Sequence, residues 1–256
     1  MHLYRSALVA TVCAAAFTAQ PLMAQDRALS FSLTGGAAYN PSYFGSDSYD
    51  VSPSGSFGFV GLDFGSLRLG DADGPRLFAP GTGVRGALRF ISEREGVDEL
   101  AGLEDIDASL ELGMGVHHTN DIWQIYADLR YGIIGHEAVA GEIGANLFYR
   151  GQSGFILHAG PRAEFGNARF MRTYFGITDD ESAASGLTAY RPDGGFQSMG
   201  VELGAYQPLN ENWGITGAVR YDRLLGDAAA SPIVVQGDRD QFSVQLGLTR
   251  HFDLRF

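Results

Sequence analysis

The stretch that decides the fold is the C-terminal sequence QFSVQLGLTRHFDLRF, residues 241–256. The odd positions carry polar residues or glycine, and among the even positions from 242 onward only Arg250 is not apolar. Alternation with a period of two is typical of a β-strand that has one apolar face and one polar face. The run is also much longer than the usual strand of about five or six residues in a soluble sheet. The apolar positions are Phe242, Val244, Leu246, Leu248, Phe252, Leu254 and Phe256.

The same alternation recurs along the chain in runs of about ten residues, the length with which a tilted strand crosses a bilayer. Aromatic residues such as Trp123, Tyr149 and Trp213 stand at the ends of many apolar series, as in the interfacial girdles of outer-membrane barrels. We therefore predict an all-β fold, an antiparallel transmembrane β-barrel in the outer membrane of a Gram-negative bacterium. A soluble β-sandwich is the alternative, but it explains the strand length and the aromatic girdle poorly.

The periodic runs predict about twelve strands, and ten are possible because the third and fourth runs are the weakest. The predicted strands are 28–39, 51–60, 63–70, 75–79, 83–92, 107–117, 122–132, 138–149, 154–165, 196–207, 212–223 and 241–255. An even number places both termini on the periplasmic side. The predicted periplasmic turns are then short, at 61–62, 80–82, 118–121, 150–153 and 208–211. The predicted outward connections are 40–50, 71–74, 93–106, 133–137, 166–195 and 224–240, all long except 71–74.

Composition and the N-terminal segment restrict the possible partners. All 18 basic residues are arginines, and with 30 acidic residues the formal net charge is −12, so nucleic acid is an unsuitable partner. Residues 1–24 resemble a secretory signal peptide cleaved after Ala24, which leaves residues 25–256 as the barrel. The single cysteine, Cys13, lies in that peptide, so no disulfide is expected in the mature chain. An uncleaved N-terminal anchor is the alternative, but the apolar run is too short to span a membrane.

Charged residues of both signs fall on the polar faces of the predicted strands and would therefore project into the barrel lumen. They are Arg85, Arg89, Glu111, Asp128, Arg130, Glu142, Arg162, Glu164, Glu202 and Arg220. One interpretation is that they pair with one another and fill the interior. The other interpretation is that they line a small selective pore.

The sequence gives little support for a catalytic or cofactor-binding motif. We therefore predict a protein that is not an enzyme and binds no cofactor. The sequence contains no Gly-x-Ser-x-Gly and no His-Glu-x-x-His. A Gly-x-Gly-x-x-Gly match at 81–86 precedes an alternating strand where a dinucleotide site needs a helix. A lipid-modifying barrel enzyme would need serine and histidine together on the lipid face, and His118, the only outward-register histidine, is predicted in a turn.

Motifs in the predicted loops carry a family resemblance. The segments YNPSYFGSD at 39–47, GLEDID at 102–107, YFGI at 174–177, RLLGD at 223–227 and SPIV at 231–234 stand in the order found in the MltA-interacting protein family, also called MipA/OmpV. The chain resembles that family over its whole mature length. Its departures are small, with Phe44 in place of a frequent proline and Glu104 in place of a frequent glycine.

The resemblance implies a non-enzymatic outer-membrane barrel that acts as a scaffold between a murein hydrolase and a murein synthase. Other members are discussed as narrow porin-like channels or surface adhesins, and both alternatives remain open. The family brings no catalytic residues. A murein scaffold needs periplasmic contacts, whereas the shared motifs lie mainly on outward loops. The remaining expected partners are outer-membrane lipid and the barrel assembly machinery, which would recognise Phe256 at the C-terminus.

The loop motifs support two roles, since glycine and proline suit tight turns over the barrel mouth and the polar residues suit recognition of a partner. The candidate motif residues are Tyr43, Gly45, Asp47, Tyr174, Phe175, Gly176, Arg223, Gly226, Asp227, Ser231 and Pro232.

Overall fold

The computed structural model describes residues 27–64, 67–70, 77–95 and 98–256. The predicted signal peptide, residues 1–24, lies outside the described residues. Eleven strands form one antiparallel sheet. They are β1 Ala28–Pro41, β2 Tyr49–Phe64, β3 Leu67–Gly70, β4 Gly81–Ile91, β5 Ser109–Thr119, β6 Trp123–Ile134, β7 Val139–Arg150, β8 Ile156–Gly166, β9 Gly195–Pro208, β10 Trp213–Leu224 and β11 Asp240–Arg255.

Ten long strands form the barrel wall, in the order β2-β1-β11-β10-β9-β8-β7-β6-β5-β4, and β3 is a four-residue extension paired with the end of β2. Of the two predicted strand numbers, twelve and ten, ten is the number of strands in the barrel wall. The predicted turn at 61–62 is wrong, because β2 continues through it to Phe64. The predicted strand at 75–79 is not formed at residues 77–79, and residues 75–76 lie outside the described residues.

A β-bulge explains why β2 appeared as two strands. Ser30 pairs with Gly61 and Phe31 pairs with Phe59, so Val60 is an extra residue without a partner on β1. An extra residue shifts the alternation of faces by one position. The apolar residues therefore stand at odd positions before Val60 and at even positions from Val60 onward. Such a break in the alternation predicts the end of a strand.

The two end strands of the ten-stranded wall, β2 and β4, lie side by side and complete the ring. Among the described residues they share no ladder hydrogen bonds, and side chains fill the seam between them. The Phe57 ring packs directly over Gly86, so closely that a Cβ at position 86 would clash with the ring. The Leu88 side chain lies near Gly55, where an added Cβ would be in ordinary van der Waals contact with it at 3.7 Å. The barrel is therefore nearly closed, with one seam held by side-chain packing.

The outer surface of the wall is apolar, as alternation requires for a barrel surrounded by lipid. Exposed aliphatic side chains cover it, among them Met114, Val116, Leu129, Leu147, Val201, Leu203, Val219, Leu246 and Leu248. Arg250, the one charged residue in the apolar series of β11, lies over the rings of Trp213 and Phe252 at 5.1 and 5.0 Å from their centroids. Such an arrangement lets an arginine near a strand end cover apolar surface with its stem.

The two ends of the barrel differ in the length of their connections. The turn end carries the short connections 120–122, 151–155 and 209–212, together with the chain end at Phe256, whose N–H donates to the Arg27 carbonyl at 3.0 Å. The loop end carries 42–48, 92–108, 135–138, 167–194 and 225–239. The predicted outward connection 71–74 lies outside the described residues. The sequence between β2 and β4 spans residues 65–80, of which 67–70 and 77–80 are described, and both Phe64, where β2 ends, and Gly81, where β4 begins, lie at the turn end.

Four helices lie in the long connections of the loop end: α1 Ala168–Phe175, α2 Asp179–Ser185, α3 Gly226–Ala230 and α4 Pro232–Gln236. The strand pattern of the sequence predicts loops in these connections and none of the four α-helices. Within the described part of the chain, no helix is long and apolar enough to cross a membrane.

Candidate functional site: a capped barrel lumen

The loop end is closed by a cap that has its own apolar core. Helix α1 begins at Asn167, whose side-chain oxygen accepts a hydrogen bond from the Phe170 N–H at 2.9 Å, as expected of an N-cap residue. Phe170, Met171, Tyr174 and Phe175 then fall on one face of the helix and are all buried. Burial of this face against the barrel mouth holds α1 in place.

Two clusters make up the cap core. The first joins α1 to the strand ends and to helices α3 and α4, and consists of Ala138, Ala140, Phe170, Met171, Tyr174, Phe175, Leu224, Ala228 and Val234. Phe44 packs against it with its ring centroid 5.1 Å from that of Tyr174, edge to face. The second consists of Leu100, Ile177 and Ile233 with Tyr43, Leu103, Leu187 and Tyr190 around them.

The five family motifs, which are far apart in sequence, meet in this cap. Gly45 has a φ of +92°, and a side chain there would also strike Val234, so the position requires glycine. The Gly45 carbonyl accepts the N–H of Asp238 at 2.8 Å. These contacts join the 39–47 motif to the 231–234 motif across the barrel mouth.

Polar contacts connect the remaining core positions of the motifs. The Tyr174 hydroxyl donates to Ser109 Oγ at 3.1 Å, which ties α1 to the start of β5. The Ser231 hydroxyl donates to the Phe175 carbonyl at 2.7 Å, and Pro232 occupies the first turn of α4. Gly176 ends α1 with its N–H bonded to the Arg172 carbonyl.

The other motif residues lie on the surface of the cap. Asp227 Oδ2 accepts the N–H of Asp193 at 2.9 Å, while the preceding Gly226 turns the chain with a φ of +51°. Arg223 donates to Asp240 across the β10–β11 ladder at 2.9 Å. Asp47 is exposed, and among the described residues its carboxylate accepts one long hydrogen bond, from Ser48 Oγ at 3.4 Å. The motif set therefore divides into core residues and exposed polar residues.

Burial in the cap shifts the pKa values of three of its polar side chains. Burial raises the pKa of the Tyr174 hydroxyl to about 12, with smaller opposing effects from Ser109 and nearby arginines. Burial also raises the pKa of Tyr43 and lowers that of Arg94, whose guanidinium donates to the carbonyls of Tyr174 and Glu104. The two phenols are therefore neutral hydrogen-bonding groups at any physiological pH.

Below the cap, all ten predicted lumen charges take part in ion pairs. The pairs are Arg85–Asp128 at 3.2 Å, Arg89–Glu164 at 2.8 Å, Arg130–Glu111 at 2.8 Å, Arg162–Glu202 at 2.7 Å and Arg220–Glu142 at 2.6 Å. Arg220 on β10 also reaches Glu164 on β8 and Asp222 on its own strand. Arg89 on β4 and Glu164 on β8 are not on neighbouring strands, so their side chains meet across the interior.

His136 links the charged lumen to the cap and was not singled out from the sequence. Its Nδ1 accepts the Ala138 N–H at 3.0 Å, which leaves Nε2 to donate to Glu111 Oε1 at 3.0 Å. Its ring meets Phe170 edge to face at 5.2 Å. The short connection between β6 and β7 that carries it has no periodicity, so the sequence offered no signal for an inward histidine.

The lumen also narrows at the turn end, through Phe78 of the β2–β4 connection. Its ring lies 5.1 Å from Phe148 and 5.2 Å from His158, two inward residues of β7 and β8. Arg150 Nη2 donates to the Phe78 carbonyl at 2.8 Å. Phe78 has a φ of +53°, an uncommon conformation for a residue with a side chain, which these contacts maintain.

His118 lies within β5, so its predicted place in a turn is wrong, and its Nδ1 is 2.6 Å from the hydroxyl oxygen of Thr82. The part of the chain that the structure describes contains no group of three histidines or carboxylates suited to a metal ion.

Comparison with known proteins identifies the family. The family model described as "MltA-interacting protein MipA" matches residues 33–252. Outer membrane protein OmpV of Vibrio cholerae is 26% identical over 222 residues, covering 85% of this chain and 78% of that protein. MltA-interacting protein of Escherichia coli K12 is 25% identical over 184 residues, covering 70% of this chain and 71% of that protein.

Among solved structures, the outer membrane protein OprG of Pseudomonas aeruginosa aligns over 88% of this chain and 97% of its own, with 13% identity and a TM-score of 0.34. The family match covers every cap segment just described and all the strands except the first residues of β1, 28–32, and the last residues of β11, 253–255. The chain therefore belongs to the MltA-interacting protein (MipA) family of outer-membrane β-barrel proteins.

Proposed function

We propose that this protein is a closed, non-enzymatic outer-membrane barrel that serves as a scaffold for murein-degrading and murein-synthesising enzymes. The observation that carries the proposal is that described side chains obstruct the lumen near both ends and in the middle. The cap core covers the loop end, Arg89 and Arg220 pair with carboxylates across the interior, and Phe78 enters from the turn end. A wide diffusion channel needs the space that these groups occupy.

The scaffold role draws on the name of the Escherichia coli relative, MltA-interacting protein, and on the shape of the turn end. In the predicted topology this end faces the periplasm, where murein lies. Its β2–β4 connection of residues 65–80 is far longer than the predicted turns of two to five residues, and Phe78 anchors it on β7 and β8. We propose the described residues of this connection, 67–70 and 77–80, as part of the partner-facing surface.

A narrow porin-like channel is the second candidate, and one cavity favours it. A space of about 390 Å³ remains beneath the cap, between β2 and the charged strands. The adhesin alternative is favoured by the exposed motif residues Asp47, Arg223 and Asp227 at the loop end.

Two measurements on the full mature chain separate the candidates. In planar bilayers, purified protein is expected to show no stepwise conductance, and immobilised protein is expected to retain a purified lytic transglycosylase of the same bacterium. Stepwise conductance without retention contradicts the scaffold and supports the channel.

Two single-arginine variants test whether the partner enzyme binds at the loop end. Arg223→Ala removes a motif residue at the loop end, and Arg169→Ala is the matched control, because it breaks another exposed ion pair at the same end, with Glu137. Both variants are expected to retain the transglycosylase like the wild type. Loss of retention in Arg223→Ala alone, with unchanged melting, would transfer the contact to the loop motifs.

A further inference from the structure

The lumen has two chemically different walls. The strands β4 to β10 carry the ion pairs, whereas the inward positions of β1, β2 and β11 carry small hydroxyl and amide side chains. These include Thr34, Asn40, Ser52, Ser54, Ser56, Ser243, Gln245 and Thr249. Small residues leave space, and the 390 Å³ cavity lies between the two walls, within the volume range of about 300–1,000 Å³ typical of small-molecule sites.

The cavity is electrically balanced. Five arginines line it, Arg85, Arg89, Arg94, Arg130 and Arg220, and so do five carboxylates, Asp128, Glu142, Glu164, Glu202 and Asp222. Arg89 and Arg220 already donate to Glu164, and Arg85 contacts Asp128. A charged ligand would have to compete with these partners and leave a buried charge uncompensated, which is costly. The balance therefore favours an uncharged ligand.

Hydrogen-bonding capacity remains unused around the cavity. Gln197 is 2% exposed, and its Oε1 has no hydrogen-bond partner among the described residues. Arg130 is 7% exposed, and its Nη2 likewise has no hydrogen-bond partner among them. Both side chains line the cavity. An unsatisfied buried acceptor or donor costs about 1–3 kcal/mol, so a ligand group that both donates and accepts would be stabilised here. The hydroxyl group has this property.

Aromatic surface completes the lining, since Phe44 and Phe57 border the cavity on the cap side and at the seam. The Phe44 ring already has the Arg89 guanidinium over it, 5.3 Å from its centroid, so the hydroxyl groups of a ligand would depend on the polar partners described above. We propose that this cavity is a binding site for a small uncharged polyhydroxylated molecule, a monosaccharide or related polyol. The inference goes beyond the scaffold role, because it assigns a ligand to the interior and requires no protein partner.

The test is saturation-transfer NMR with D-glucose and the full mature barrel in deuterated detergent. Saturable transfer to glucose is expected, with weaker transfer to gluconate and to glucosamine, which add a negative or a positive charge. Absence of saturable glucose transfer overturns the proposal, since water alone then fills the cavity. Tighter binding of either charged analogue also overturns it.

Two variants with a matched control locate the site. Ser56 is exposed to the cavity, and Ser56→Phe is expected to fill it and weaken glucose binding about tenfold or more. Gln197→Leu removes the unused acceptor at similar volume and is expected to weaken binding as well. Val51→Phe, on the lipid-facing side of the same strand as Ser56, is expected to bind like the wild type.

Folding is checked for each variant by the mobility shift of the barrel on gel electrophoresis before and after heating. Binding unchanged in a folded Ser56→Phe variant contradicts the site. Because the readout is sugar binding, its failure leaves the scaffold proposal untouched, and loss of enzyme retention leaves this proposal untouched.

Discussion

The cap and the lumen beneath it are both closed, but by opposite chemistry. In the cap, Phe170 and Phe175 are fully buried in an apolar core, as in a small water-soluble domain. In the lumen, buried side chains such as Glu111 and Arg162 are charged and paired. Alternation in a membrane strand places the apolar residues toward lipid, so polar side chains must fill the barrel interior. A loop domain in water instead buries its apolar side chains in its core.

The largest effect is expected from the cap core. Phe175→Ala removes a fully buried ring and is expected to lower the free energy of unfolding of the cap by about 3–5 kcal/mol. Limited proteolysis of the loop end measures this effect. Val235→Ala in α4 is the control, because Val235 is 70% exposed and its loss is expected to change cleavage little. Equal resistance of both variants would show that the apolar core does not hold the cap.

A slightly smaller effect is expected from the lumen. Arg220→Met leaves Glu142, Glu164 and Asp222 without their shared cation and is expected to destabilise the barrel by about 3 kcal/mol. The temperature at which the folded band disappears on gel electrophoresis measures it. Arg169→Met, which breaks an exposed pair with Glu137, is expected to change that temperature very little. Identical behaviour of the two variants would mean that lumen pairs are as weak as surface pairs.

A substitution at the contact between the 39–47 and 231–234 motifs is expected to destabilise the protein less. Gly45→Ala introduces a side chain at a φ of +92° and against Val234, with an expected cost of about 1–3 kcal/mol. Gly35→Ala is the matched control, because a Cβ at Gly35 meets no atom within 4 Å. Thermal melting followed by circular dichroism compares the two. A neutral Gly45→Ala would contradict the close approach of the two motifs.

The smallest effect concerns pH and helix α2. Burial opposes ionisation of Glu181, but hydrogen bonds from the N–H groups of Thr178 and Glu104 outweigh it and lower its pKa. Because this pKa is lowered on folding, its stabilisation is complete above the unfolded value of about 4.3 and is lost as the pH falls through the lower folded value.

Hydrogen exchange of α2, corrected for intrinsic rates, is therefore expected to accelerate as the pH falls below about 4.3. In Glu181→Gln the carboxylate is absent, and this acceleration is expected to disappear, with a constant loss of about 0.5–1 kcal/mol from the weakened capping box. An equal pH response in both proteins would assign the effect to another group.

Much of the barrel could be predicted from the sequence, because each strand signals its face locally. The failures have identifiable causes. The bulge at Val60 reverses the alternation inside β2 and produced a false turn at 61–62. Helix α1 carried readable signals, Asn167 as N-cap and an apolar face from Phe170 to Phe175, but its eight residues lie in a connection that the strand pattern assigns to a loop. The capping box of Thr178 and Glu181 was equally readable.

By itself, the sequence determined the strand faces and the family motifs, because periodicity and motif order are local properties of the chain. Only the tertiary structure decided which arginine meets which carboxylate across the lumen, that His136 joins lumen to cap, and that Phe78 closes the turn end. The reason is that these contacts connect strands and loops far apart in sequence, and their geometry exists only when the ring has closed.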